Sequence, residues 1–168
     1  RRGVLSVAKR RAYGANGFAL IDLIFVCGII GILCSIALPR LLQAQQSAGA
    51  ASAIGSMRAI SSAQLTFALT CGGGFYAPSL TTLGVAPPSS NEAFISPNLS
   101  GSDTVTRAGY VIMLEATPYD LAPASCNGLG IGEAGQAFKA GADPNQPDNF
   151  RYFATNANGQ IFEDAASM

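Results

Sequence analysis

Histidine is absent from this 168-residue chain. Its absence removes the side chain most used for acid–base catalysis near neutral pH and the commonest metal ligand. Charge is scarce as well, at 12% of residues. Lysine occurs only at Lys9 and Lys139, and residues 1–17 hold five of the ten basic residues and no acid. Past residue 17, five basic residues face ten acidic ones, a net charge of −5. No cluster of Lys and Arg remains there of the kind that nucleic-acid binding requires. The four cysteines have neither CxxC nor zinc-type spacing. The glycine-rich pieces CGGG (71–74) and GLGIGEAG (128–135) lack the P-loop and GxGxxG patterns and read as turns. A hydrolase would have to rely on paired carboxylates or on a serine activated by Lys139, and no such constellation emerges. The chain therefore reads as a non-enzyme without a cofactor.

What is present is one long hydrophobic run. From Phe18 to Leu38 the chain has 21 residues and a single charge, Asp22. That length suits a helix crossing a hydrocarbon core roughly 30 Å thick. Only a helix would satisfy its own amides there. Arg1, Arg2, Lys9, Arg10 and Arg11 precede the run and none lies inside it. This charge asymmetry predicts a cytoplasmic N-terminus and an outward-facing remainder. Two plainer readings compete. A general secretory signal peptide also pairs basic and apolar regions, but its apolar core is normally about 7–15 residues with a small-residue cleavage site. A plain membrane anchor gives no reason for an acid five residues after Gly-Phe.

The order of residues at the start of this run is more specific than its hydropathy. A basic leader ends in Gly17, Phe18 follows, and the fifth apolar-run residue is the carboxylate Asp22. This resembles the class III signal of type IV pilins and type II secretion pseudopilins. The resemblance implies that a membrane prepilin peptidase cuts after Gly17 and methylates the new amine of Phe18. Gly31 and Pro39 also fall where the family's N-terminal helix has glycine and proline. The family usually has glutamate where this chain has Asp22, which is one methylene shorter. The resemblance covers about a seventh of the chain. It implies a structural subunit that waits in the inner membrane as a single-pass protein in contact with lipid. Inner-membrane assembly machinery would then move it into a periplasmic or extracellular filament with copies of itself and other pilin-like subunits. A carboxylate in a membrane helix costs about 2.5–3.5 kcal/mol at the centre and less near the interface. The resemblance assigns Asp22 to the amine of Phe18 on the same or a neighbouring subunit, with snorkelling to the interface as the alternative. The competing class of function is a membrane-anchored extracytoplasmic binding domain that does not polymerise.

Beyond Pro39, which should kink the helix, no proline occurs until Pro78. Ala50, Ile54, Met57, Ile60, Gln64 and Phe67 recur every three or four residues, a helical stripe that Leu65, Ala68 and Leu69 would widen. Gly49 and Gly55 weaken the helix locally, and Gly72–Gly74 end it. One helix from Phe18 to Leu69 results. Its second half needs a covering layer, which only the C-terminal half can supply. Residues 75–106 read as loop anchored by Leu80, Leu83, Phe94, Ile95 and Leu99. Strands are predicted over Gly109–Ala116, Gln136–Lys139, Phe150–Thr155 and Gln160–Glu163, the last two joined by a hairpin at Asn158-Gly159. The fold class is α+β, a long helix packed on a three- or four-stranded antiparallel sheet. Four segments follow: leader 1–17, membrane or filament-core helix 18–38, amphipathic continuation 39–70, and a loop and β-sheet region 71–168.

Cys27 and Cys34 sit seven apart in the apolar helix and read as small buried thiols. Cys71 and Cys126 fall in the part placed outside the cytoplasm, where an oxidising compartment favours a disulfide between them. The loop Ala142–Asn149 offers oxygen donors, with Asp143 and Asp148 as calcium candidates. Its spacing is not that of an EF-hand, and its two prolines suit an exposed turn.

Overall fold

The computed structural model describes residues 16–167, with side chains from Leu20 onward. The leader lies outside these residues apart from its last two, Asn16 and Gly17, which are helical. Helix α1 spans Asn16–Thr70 and continues through Pro39. The chain divides into two compact units, one ending at Gln43 and one beginning at Ala44.

In the first unit every residue from Leu20 to Gln43 is exposed. Fourteen large apolar side chains are among them, from Leu20 to Leu42. By length and composition this segment is apolar enough to cross a membrane. In water such a surface would drive association, so the helix requires lipid or protein around it.

In the second unit, α1 buries one stripe. Ala50, Met57, Ile60, Gln64 and Phe67 are buried and Ile54 is partly so. Of the three residues expected to widen the stripe, Ala68 is buried, but Leu65 and Leu69 are exposed, at 56% and 76%. At about 100° of rotation per residue, the two leucines lie past the edge of the stripe. It widens the other way, to Ala53, Ser56 and Ala63.

The covering layer is an antiparallel meander of five strands in sequence order: β1 (Thr104–Arg107), β2 (Tyr110–Pro118), β3 (Gly135–Pro144), β4 (Tyr152–Asn156) and β5 (Ile161–Asp164). Alternation sends Tyr110, Ile112 and Leu114 inward and leaves Met113 and Glu115 exposed, as the period of two demands. The core combines these residues with Phe138, Ala140, Ala142 and Phe153. Small residues on both layers, such as Ala50, Ala53, Ala140 and Ala142, let helix and sheet approach closely. The segment before the sheet carries two single-turn helices, α2 (Leu80–Leu83) and α3 (Pro97–Ser100), each N-capped by a serine hydroxyl. Leu80, Leu83, Ile95 and Leu99 are buried there, and Phe94 sets its ring edge-on to Phe67 at 5.4 Å.

The fifth strand was not expected. β1 is joined to β2 by Ala108-Gly109, both with positive φ (50° and 82°), as a two-residue hairpin requires. This turn also explains the glycine inside α1. A Cβ on Gly49 would stand 2.7 Å from the Ala108 carbonyl oxygen, so only glycine admits the hairpin at this distance.

Gln64 is the polar member of the buried stripe. Its amide Nε2 donates to the Ala77 carbonyl and its Oε1 accepts the Ala77 N–H, both at 2.8 Å. One side chain thus closes both backbone groups of a fully buried loop residue. Replacing Gln64 with leucine leaves two buried groups unpaired, each costing about 1–3 kcal/mol. We expect Gln64→Leu to lower unfolding stability by roughly 2–4 kcal/mol, read as a lower denaturant midpoint at unchanged slope. A loss below about 1 kcal/mol would show that the loop re-pairs elsewhere.

Candidate functional site

Two places carry the residues singled out from the sequence. The first is the N-terminal part of α1. Gly17 and Phe18 are both helical there. Asp22 is exposed one turn further on, and Pro39 is exposed within the same helix. Asp22 is the single charge between Asn16 and Pro39. The helix has no acidic residue in its first turn, so its N-terminal amides and dipole are not complemented there by a side-chain carboxylate. Cys27 and Cys34 are free thiols, exposed like their neighbours rather than buried within the chain.

The second is the end of α1. Phe67 O accepts the N–H groups of both Cys71 and Gly72, at 2.8 and 2.7 Å. Gly73 and Gly74 then take positive φ and turn the chain away. Cys71, just past the helix, is disulfide-bonded to Cys126 in the long β2–β3 loop, with Cα atoms 4.9 Å apart. The bridge is reinforced by Cys126 N–H donating to Cys71 O at 3.1 Å. Asn127 Nδ2 donates to Thr82 O at 2.9 Å, tying the same loop to α2.

The calcium candidates are not gathered. Asp143 lies in β3 opposite Val111, while Asp148 is exposed in the loop after the strand. Asn149 is buried and committed: its Nδ2 donates to the Tyr110 hydroxyl at 3.0 Å and its Oδ1 accepts the Arg151 N–H. Among the described residues no group of three His, Cys, Asp or Glu side chains is placed to hold a metal.

Sequence reasoning missed the outward face of the sheet. A trough of about 520 Å³ lies there. Its lining includes the ion pair Lys139–Glu115, at 3.3 Å, and Glu163, whose partner Arg151 stands 2.5 Å away outside the lining. The guanidinium hydrogen bond holds the Glu163 carboxyl below the usual carboxylate range. Partial burial instead pushes the Asp143 carboxyl above its ordinary value. No motif marks this trough, because its floor is made of residues with little or no side chain. Comparison with protein-family models, with curated proteins and with solved structures found no match.

Proposed function

We propose that this chain is a structural subunit of a type IV pilus or type II secretion filament, cleaved after Gly17 and assembled through its N-terminal helix. One observation carries the reading: α1 has two different solvents along its length. Its first part is exposed, apolar and marked by one carboxylate near its start; its second part buries a stripe beneath a five-stranded sheet. A helix of that kind is suited first to lipid and later to a bundle of like helices, with the sheet unit outside. The Gly17-Phe18 order and the disulfide are consistent with processing at the membrane and export to an oxidising compartment. In this reading the chain performs no catalysis. Its partners are a prepilin peptidase, the inner-membrane assembly machinery and other subunits.

Mass spectrometry of exported protein tests it. The expected first residue is Phe18, methylated on its amine. A large residue in place of Gly17 should leave the leader attached, because glycine lets the backbone pass close to a peptidase site. Mature protein beginning near Leu38, or still carrying Arg1, refutes the proposal and favours a secreted or merely anchored domain.

A further inference from the structure

The trough on the outward face of the sheet has a built shape. One row of directly paired residues crosses all five strands: Thr104 with Met113, Met113 with Gly141, Gly141 with Ala154, and Ala154 with Phe162. The two middle positions, Gly141 and Ala154, carry almost no side chain. Met113 and Phe162, at 40% and 46% exposure, rise on either side as walls. They stand three strand spacings apart, about 14 Å. Ala154 is nonetheless only 3% exposed, so its neighbours enclose the floor. The volume, about 520 Å³, falls within the range of small-ligand sites rather than of flat interfaces.

The charges at the two ends differ. At one end Glu115 is neutralised by Lys139. At the other, Tyr152 on β4 pairs directly with Asp164 on β5. Asp143 follows Ala142, which pairs with Phe153, so it stands on the other side of Tyr152. Both carboxylates and the tyrosine line the trough. Asp164 uses one oxygen to accept the Ala165 N–H at 2.6 Å. Neither acid is in an ion pair among the described residues. An aromatic ring between two carboxylates favours an organic cation: the ring face attracts it and the flanking charges neutralise it. An anion would meet two like charges there.

We infer that this trough binds a small organic cation bearing an apolar arm. The ammonium lies against Asp143, Tyr152 and Asp164, and the arm lies on the Gly141–Ala154 floor between Met113 and Phe162. The site belongs wholly to the unit from Ala44 onward and does not depend on how the N-terminal helix is used.

The test is NMR titration of the full chain in neutral detergent with phenethylamine, using phenylpropionate as the anionic counterpart with a similar arm. Phenethylamine should shift resonances of Gly141, Tyr152 and Ala154 saturably, and phenylpropionate should not. Gly141→Leu fills the floor, and a Cβ at Gly141 meets only Met113 at an ordinary 3.7 Å, so the fold is expected to tolerate it. That variant should weaken binding at least tenfold, as should the Asp143→Asn, Asp164→Asn double variant. Asp148→Asn, outside the trough, should bind like the parent. Thermal unfolding midpoints of all variants are compared first. For a variant whose midpoint falls, Met113→Trp, which narrows the trough from its wall, takes its place. Equal shifts with both probes, or parental binding by the filled and the uncharged variants, overturn the inference. So does binding of a basic peptide such as acetyl-Phe-Arg-Phe-amide without any binding of phenethylamine, because that makes the face a protein-docking surface.

Discussion

Asp22→Ala chains are expected to insert and lose their leader normally, yet to be missing from sheared filament fractions. Under the proposed assembly, each Asp22 carboxylate neutralises the amine of Phe18 on an adjacent subunit, and this pair sets the axial register between helices. Apolar side chains alone cannot do so, because Leu20 to Leu42 offers similar surfaces at many offsets. A subunit out of register would leave an amine and a carboxylate unpaired in an apolar bundle, and breaking such a pair typically costs about 3–5 kcal/mol. Removing the carboxylate leaves every amine in that position. Asp22→Glu should assemble at least as well as the parent, since the extra methylene extends its reach. Immunoblots of membrane and sheared fractions would read both variants. Parental amounts of Asp22→Ala in filaments would mean that the carboxylate only reaches for the interface, and the proposed register mechanism would fall.

The second large effect is expected at the disulfide. Cys126→Ser should lower the stability of the sheet unit by roughly 4 kcal/mol, the chain-entropy value for a loop of this length. For a unit of this size the unfolding midpoint should drop by roughly 15 °C. Cys126 is the better member of the pair to replace. It is exposed, so a serine hydroxyl there stays hydrated, whereas Cys71 is buried against Phe67. The β2–β3 loop also keeps its native hydrogen bonds from Cys126 N–H and Asn127 Nδ2, so most of the loss arises from a freer unfolded chain. Leader cleavage should be unchanged. A loss below about 1 kcal/mol would mean that those hydrogen bonds alone confine the loop in both states.

The long helix was legible because its apolar run, its stripe and the glycines that end it are all local signals. The disulfide was legible from the outward topology that the basic leader predicts and the oxidising compartment that such a topology implies. β2 and the β4–β5 hairpin follow from alternation and from Asn158-Gly159. β1 was hidden because Thr104–Arg107 is polar and mostly exposed, and because its turn places an alanine, Ala108, at positive φ. β3 was foreseen only over Gln136–Lys139. Its remainder, Ala140–Pro144, is built of small residues with an aspartate and a proline, and becomes strand because β2 and β4 pair on either side. Leu65 and Leu69 misled because hydrophobicity reports what prefers burial, not how wide a stripe the sheet covers. The trough is the extreme case: Gly141 and Ala154 matter for the atoms they lack.

The sequence-ordered sheet also fixes the order in which the chain can complete itself. Each strand pairs with the strand just made, so apart from the long β2–β3 loop every new pairing closes a short loop and little entropy is lost at each step. The helix is different: its stripe at Ala50–Phe67 emerges first, the segment from Ala77 to Leu99 covers part of it, and the rest of its cover arrives with β2 to β4. During synthesis, that stripe is therefore incompletely covered for the time needed to deliver about 40 to 90 further residues, seconds at about 5–20 residues per second. Over that interval the half-made chain is open to holding factors and to premature association, and the arrival of Phe153 in β4 ends it.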